Sequence, residues 1–209
     1  MEVLDQRNLP ERVAEHLIDK IAAGDITLGS RILEVPLSEQ LGISRSTLRE
    51  GLRLLEARGV VEVTPQRRTT IRVYDPESIK TIYSMRETSE LRAISLLLGR
   101  PERIPPLLAS LEPILKEMAL NEERSNRTLN KLDIAFHTTL VEATGEFALG
   151  SIWNAIKHHL VIIFSLEISD GANFAEDHRR LARAIADGKW PQIEREYRRH
   201  IAKDRLDVR

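Results

Sequence analysis

Asp133 and His137 have the residue types and the spacing of a buried polar pair or of two metal ligands. They are four residues apart in a stretch with helical periodicity, so both side chains lie on its apolar face. A carboxylate and an imidazole placed in this way either satisfy each other or bind one metal ion. On its own, the pair favours the first interpretation.

His178 and His200 shift the balance towards a metal. They lie in consecutive predicted helices, and each is eleven residues from Lys189, the centre of the turn between them. In an antiparallel helical hairpin, both would be about 16 Å from the turn at a rise of 1.5 Å per residue, and so at the same height. Packing of the Asp133 helix against this hairpin would bring three imidazoles and one carboxylate together.

Such a donor set suits a divalent ion such as zinc, nickel, manganese or iron(II). It would leave one net positive charge and, in an octahedral metal, two positions for water or a carboxylate ligand. A polar core that is satisfied without metal remains the alternative. The open positions also fit a metalloenzyme, but the sequence has no H-E-x-x-H motif, and Glu142 and Glu176 have no fixed relation to the ligands. We therefore predict that the protein is not an enzyme.

The composition points to a soluble cytoplasmic protein. The 209 residues have a net charge of −1 and include no cysteine, which excludes disulfides and thiolate metal sites. The longest apolar run, Leu160 to Phe164, is five residues, far short of the roughly 18 that a membrane span needs. The amino terminus lacks the basic and apolar regions of a signal peptide.

Positive charge is confined to one segment. Residues 44–72 contain seven arginines and three glutamates, whereas residues 1–43 have a net charge of −4. The elements predicted here are helices over 10–24, 37–41 and 44–59 and two strands over 60–64 and 69–73. This order is that of a helix-turn-helix followed by a wing, which predicts binding to double-stranded DNA.

The third helix is the predicted recognition helix. Arg45 and Arg49 project from one face near its start, where side chains reach base edges, and arginine pairs well with guanine. Arg53, one turn later, is predicted to meet phosphate. Arg67 and Arg68 at the wing tip are predicted to lie along a groove. The alternative is a solvated helix with no ligand.

Beyond residue 75, every further element is predicted to be helical. The predicted fold class is mainly α: a winged helix-turn-helix domain over 1–75 and an all-α antiparallel bundle over 76–209. The bundle helices are predicted at 76–98, 103–120, 126–144, 147–168, 173–186 and 191–206.

Residues 8–73 resemble the winged helix-turn-helix of GntR-type transcriptional regulators. The resemblance is carried by 31–34, by 37–52 with its Ser-Arg-x-x-Leu-Arg-Glu centre, and by 55–61. It implies base contacts by Arg45 and Arg49. The other DNA contacts that it implies are Ser44, Ser46 and Thr47 to bases or phosphates and Arg31 or Arg67 to the backbone. Three positions depart from the family: Leu28 replaces proline, Gly51 replaces alanine and Arg68 replaces the glycine of the wing tip.

Residues 76–206 resemble the FCD domain of the FadR branch of these regulators. Asp133-Ile134-Ala135-Phe136-His137, Asp177-His178 and Arg199-His200-Ile201 match its metal-binding subset. The resemblance implies that Asp133, His137, His178 and His200 are the ligands of a divalent metal, with a small organic acid bound beside it. Metal-free members that sense acyl-CoA lack this set. Glu146 replaces the usual asparagine.

Arg86 lies in the first bundle helix of the same family pattern. Its guanidinium could clamp an effector carboxylate, or it could form an ordinary salt bridge with Glu90, four residues later. The sequence leaves both open.

The predicted function is a homodimeric transcriptional repressor that reads a palindromic operator, since two-fold pairing of two reading heads supplies specificity. A small organic acid at the metal would change its affinity for DNA. The alternatives are a metal-free regulator with an acyl-CoA-type effector, a direct metal sensor and, last, a metal-dependent enzyme with a DNA-binding head.

Overall fold

The computed structural model describes residues 9–66, 68–121, 126–166 and 173–204, with backbone alone for 126 and 202–204. The chain divides into two compact units, Met1–Asp75 and Pro76–Arg209. Arg67, a predicted DNA contact, lies outside the described residues.

The amino-terminal unit is a helix-turn-helix with a two-stranded wing. Buried Leu48, Leu52 and Leu55 of the third helix face the first helix across a small core. The elements of this unit are α1 (Leu9–Ala22), α2 (Glu34–Leu41), α3 (Arg45–Ala57), β1 (Val61–Val63) and β2 (Thr69–Ile71).

The turn between α2 and α3 follows from two residues. Gly42 ends α2 in the left-handed conformation, with φ of 64°. Ser44 caps α3 by accepting a hydrogen bond from the Thr47 amide at 3.1 Å. The prediction for α2 was three residues too short, because Pro36 lies within the first turn, where no N–H donor is needed.

Gly51 of α3 lies against α1. A Cβ at this position would be 2.8 Å from Val13 Cγ1 and 3.2 Å from the Pro10 carbonyl oxygen. The close approach of α1 therefore explains why glycine replaces the usual alanine at position 51.

The wing is an antiparallel hairpin with Val61 opposite Ile71, and Arg31 adds an isolated bridge to Thr70. At the tip, the Thr64 amide donates to the Arg68 carbonyl at 2.9 Å, and the Arg68 amide donates to Thr64 Oγ1 at 3.2 Å. Among the described residues, Asn173 alone of the non-glycine residues has a positive φ. The backbone at Arg68 therefore does not have the positive φ that would favour glycine at this position.

The carboxy-terminal unit is a helical bundle. Its core is formed by apolar side chains of α4, α5, α6, α8 and α9. A short 3-10 helix, Pro101–Arg103, joins the first two helices. The helices are α4 (Pro76–Leu98), α5 (Ile104–Asn121), α6 (Asn126–Glu142), α7 (Phe147–Leu166), α8 (Phe174–Asp187) and α9 (Trp190–Asp204).

The end of α6 is held by two arginines. Arg103 and Arg100 donate to the Thr144 carbonyl at 2.6 and 3.0 Å. Arg100 also pairs with Glu146 at 2.8 Å. Glu146, the departure from asparagine, thus has an arginine partner in this chain.

Helix α7 is long and apolar enough to cross a membrane by length and composition alone, with 39% of its most apolar window buried. In the bundle it packs against α4 and α6. Trp153 of α7 is buried and donates from Nε1 to Thr138 Oγ1 of α6 at 2.8 Å. The apolar character of α7 therefore serves in part to fill the bundle.

Candidate metal centre and nucleic-acid interface

The bundle brings Asp133, His137, His178 and His200 together in its interior. All four are buried, and one donor atom from each lies within 4.8 Å of all the others. Helix α6 supplies the first two residues at the i, i+4 spacing. The α8–α9 hairpin supplies His178 and His200. The hairpin forms because Gly188 ends α8 with φ of 69° and α9 begins two residues later.

The donor atoms are separated by distances that suit one metal ion. His137 Nε2 is 3.0 Å from His200 Nε2, and His178 Nε2 is 3.0 Å from Asp133 Oδ1. Asp133 Oδ1 lies 3.7 and 3.9 Å from Nε2 of His137 and His200. Ligands about 2.1 Å from a metal and at right angles would be about 3.0 Å apart, and opposite ligands about 4.2 Å apart.

The bonding of His178 requires a positive charge between its ring and Asp133. Its Nδ1 donates to the Phe174 carbonyl oxygen at 2.9 Å, so a neutral ring has no hydrogen on Nε2. Nε2 nevertheless faces the carboxylate oxygen of Asp133 at 3.0 Å, and both atoms are acceptors. Either the buried imidazole carries a second proton, or a cation lies between the two acceptors. A divalent metal satisfies both atoms at once.

Glu90, a residue that the sequence marked only as the partner of Arg86, orients the second histidine. Its Oε2 lies 2.5 Å from His137 Nδ1, an ion-pair contact that leaves Nε2 of that ring to act as a ligand. Its Oε1 accepts from Arg86 Nε at 2.9 Å. Burial alone would raise the pKa of Glu90, but the adjacent His137 and Arg86 outweigh it and lower the pKa. The carboxylate is therefore held in its charged form.

Arg86 is completely buried and connects the two carboxylates. Besides Glu90, it donates from Nη2 to Asp133 Oδ2 at 3.2 Å. Burial would raise the pKa of Asp133, yet Arg86 and His137 hold it far below the usual range. The salt bridge with Glu90, one of the two alternatives for Arg86, is present. An effector contact by Arg86 stays a prediction.

The predicted DNA-binding residues lie mainly around the start of α3. Ser44, Ser46 and Thr47 form a hydroxyl cluster in which Ser44 Oγ lies 2.8 Å from each of the other two hydroxyl oxygens. The arginines of this set are all exposed; they are Arg31, Arg45, Arg49, Arg53 and Arg68.

Exposed cations at the start of the second helix of a helix-turn-helix lie where this motif contacts DNA. Arg49 differs from the other arginines of α3, since its Nε donates to Glu34 Oε2 at 2.7 Å. This pair is not evident from the sequence, because the two residues are fifteen positions apart and lie in different helices.

Comparison with known families gives one match in each unit. The family described as bacterial regulatory proteins, gntR family, matches residues 9–71, and the FCD domain matches residues 81–203.

Two curated relatives span most of the chain. A probable D-xylose utilization operon transcriptional repressor from Paenarthrobacter nicotinovorans is 25% identical over 201 residues, covering 95% of this chain and 88% of its own. The HTH-type transcriptional regulator LutR from Bacillus subtilis is 26% identical over 206 residues, covering 87% and 92%. Among solved structures, E. coli McbR/YncC has the same fold, with a TM-score of 0.79 at 19% identity over 94% of both chains.

Proposed function

The chain belongs to the gntR family of bacterial regulatory proteins with an FCD domain, and from this premise we propose that it is a metal-dependent repressor controlled by a small organic acid. A GntR-family transcriptional regulator binds DNA and is not an enzyme. Its place of action is the cytoplasm, where the DNA is. The relative named a repressor supports the proposed direction of regulation.

One observation carries the proposal: the convergence of four buried donor atoms in the bundle. Asp133, His137, His178 and His200 would hold a divalent metal, with zinc, nickel, manganese and iron(II) as candidates. When bound, the metal would supply open positions to which a carboxylate can coordinate. The donor set fits this group because a metal would satisfy His178 Nε2 and Asp133 Oδ1 together, with no second proton on the ring.

The charge of the buried cluster favours an anionic effector. Arg86 contributes one positive charge, and Glu90 and Asp133 contribute two negative charges. A divalent metal with neutral imidazoles would bring the cluster to one net positive charge. A monocarboxylate would neutralise it, which is the physical reason for proposing a small organic acid.

The proposed DNA contacts are the exposed side chains around the start of α3 and the wing. Arg45 and Arg49 would contact bases, and Ser44, Ser46 and Thr47 bases or phosphates. Arg53 would contact a phosphate and Arg31 or Arg67 the backbone, with Arg67 and Arg68 of the wing tip lying along a groove. A homodimer would present two such heads to a palindromic operator.

Exposed apolar side chains on α7 support the homodimer. Ile152 is 42% exposed and Leu166 is 52% exposed, although both are large and aliphatic. Exposed alanines at 148 and 155 lie on the same face at helical spacing. A second copy of the chain would cover this face.

The first test is metal content by mass spectrometry of the purified protein, before and after mild chelation and reloading. We expect about one divalent ion per chain. His178→Ala should lose it, whereas His16→Ala, which removes an exposed imidazole in the other unit, should keep it. Absence of metal from the wild type after reloading would refute the metal site and favour an effector of the acyl-CoA type.

The second test separates an effector from direct metal sensing. DNA selected from a random duplex library would be titrated with the metal-loaded protein, with and without a panel of small carboxylates. We expect one carboxylate to change the affinity only when metal is bound. A response to metal alone would favour a metal sensor.

A further inference from the structure

Glu34 reaches from α2 to the recognition helix. Its Oε2 accepts from Arg49 Nε at 2.7 Å, and the Glu34 side chain is 28% exposed, against 53% for Arg49. Glu34 is the first residue of α2, where the positive end of the helix dipole favours a carboxylate. The carboxylate is therefore the fixed partner, and the arginine extends from it towards solvent.

The pair distinguishes Arg49 from its neighbours. Arg45 and Arg53 lie one turn before and one turn after it on the same face, and neither has an ion-pair partner within the part of the chain that the structure describes. Exposed ion pairs contribute little to stability. A role in folding therefore does not explain why a carboxylate is placed on this particular arginine.

The geometry of the pair leaves the reading end of Arg49 available. Glu34 engages Nε, and no hydrogen bond to Nη1 or Nη2 is formed by the described residues. Guanine offers O6 and N7 as two acceptors on its major-groove edge, which a planar guanidinium can pair with side by side. Because the guanidinium is planar, a bond at Nε restricts the plane in which the two terminal nitrogens lie.

We propose that Glu34 is a positioning residue for base recognition, which holds the guanidinium of Arg49 so that its terminal nitrogens face a guanine edge. The inference rests on the proposed base contact of Arg49. An arginine that Glu34 already holds in place loses less side-chain conformational entropy on binding DNA than a free arginine does. Its effect should be confined to the base pair that Arg49 reads.

Two other roles for the pair predict different results. If Glu34 competed with DNA for Arg49, its removal would raise the affinity for the selected site. If it only braced α2 against α3, its removal would lower thermal stability and leave base preference unchanged.

The experiment compares full-length wild type with Glu34→Ala, Glu34→Asp, Glu39→Ala and Arg49→Ala. Glu39→Ala removes one exposed acid from the same helix and is the matched control. Each protein selects duplexes from a library with a randomised central segment. The affinity for the wild-type consensus is then measured beside duplexes that carry single base-pair substitutions, with thermal unfolding followed by circular dichroism.

We expect Arg49→Ala to lose discrimination at one G·C position in each half-site. Glu34→Ala and Glu34→Asp should lose at least about fivefold discrimination at that same position, the lower end of what an arginine–guanine pair contributes. Glu39→Ala should match the wild type at all positions. Glu34→Asp retains the charge at the helix start but is one methylene too short, so it tests positioning even if Glu34→Ala unfolds.

Unchanged base preference in both Glu34 variants, or tighter binding to the consensus, would overturn the inference while leaving the role of Arg49 intact. No change in Arg49→Ala would instead refute the proposed base contact. The two failures are therefore distinguishable.

Discussion

At the scale of single residues, Glu90 is the centre of the buried network in the bundle. It forms an ion-pair contact with His137 and accepts from Arg86. Its charge also helps to raise the pKa of the buried Tyr197, an effect due first to burial. A carboxylate on the far nitrogen of a ligating imidazole fixes the ring and strengthens the ligand. Glu90 is thus expected to raise the affinity of the site for metal without being a ligand itself.

Replacement of Glu90 by glutamine should weaken metal binding about tenfold to a hundredfold, because His137 loses its carboxylate partner. The dissociation constants for zinc and nickel would be measured by competition with a chelating dye. Glu87→Gln is the control, since Glu87 lies in the same helix but pairs with Arg198 at 3.3 Å. Equal affinities in the two variants would show that Glu90 does not support the site.

His200 gives the metal-free protein a pH-dependent stability. Burial lowers its pKa well below the usual 6.5, and the nearby His178 and His137 lower it further. Below pH 6.5 the unfolded chain binds a proton at this residue that the folded chain does not. The free energy of unfolding therefore falls as the pH drops, by about 1 kcal/mol per pH unit from this group.

Urea unfolding of the chelated protein at pH 7.5 and at pH 5.5 would measure this effect. His200→Gln removes the titrating group, so its free energy of unfolding should change less between the two pH values. A variant with the same pH dependence as the wild type would contradict the assignment to His200.

At the scale of secondary structure, the contact between α1 and α3 has no room for a methyl group at Gly51. Glycine to alanine in a helix interior usually stabilises by up to about 1 kcal/mol. At Gly51 the added carbon would meet Val13 Cγ1 at 2.8 Å. We expect Gly51→Ala to destabilise the protein by about 1 to 3 kcal/mol through overpacking.

Thermal and urea unfolding would test this prediction against Gly150→Ala. Gly150 lies in α7, and a Cβ there would have nothing within 4 Å, so this variant should be stabilised. In a Val13→Ala background, Gly51→Ala should cost less, because the clashing methyl is gone. If Gly51→Ala and Gly150→Ala stabilise the protein equally, α1 does not lie close enough to Gly51 to clash with a methyl group there.

The helices and the four proposed ligands could be predicted from the sequence because local signals mark them. Gly188 and Pro191 place the turn of the last hairpin, and the equal distances to His178 and His200 then bring the two rings together. The contact of Glu90 with a proposed metal ligand could not be predicted from the sequence. A glutamate four positions after an arginine is typical of an exposed helix, and only the packing of α4 against α6 places it on His137.

At the scale of the whole molecule, the proposed dimer depends on a face of α7 that a single chain leaves exposed. Ile152→Glu would place a charge in that face, and desolvation of the charge should prevent pairing. We expect a monomer in light scattering, with a marked loss of affinity for a palindromic duplex. Leu120→Glu, at an aliphatic side chain of α5 that is 71% exposed, should remain a dimer.

The opposite result would also be informative. A dimeric Ile152→Glu protein would move the interface away from α7, while a monomeric wild type would refute the homodimer itself.

The buried indole of α7 gives the protein an internal optical probe. The Trp153 ring centroid lies 6.4 Å from that of His137, whereas the protein's other tryptophan, Trp190, is 37% exposed. A paramagnetic ion such as nickel(II) bound to His137 would quench the blue emission of the first and largely spare the red-shifted emission of the second. Loading of the site, and its perturbation by a carboxylate, would thus be visible in the spectrum of the unlabelled protein.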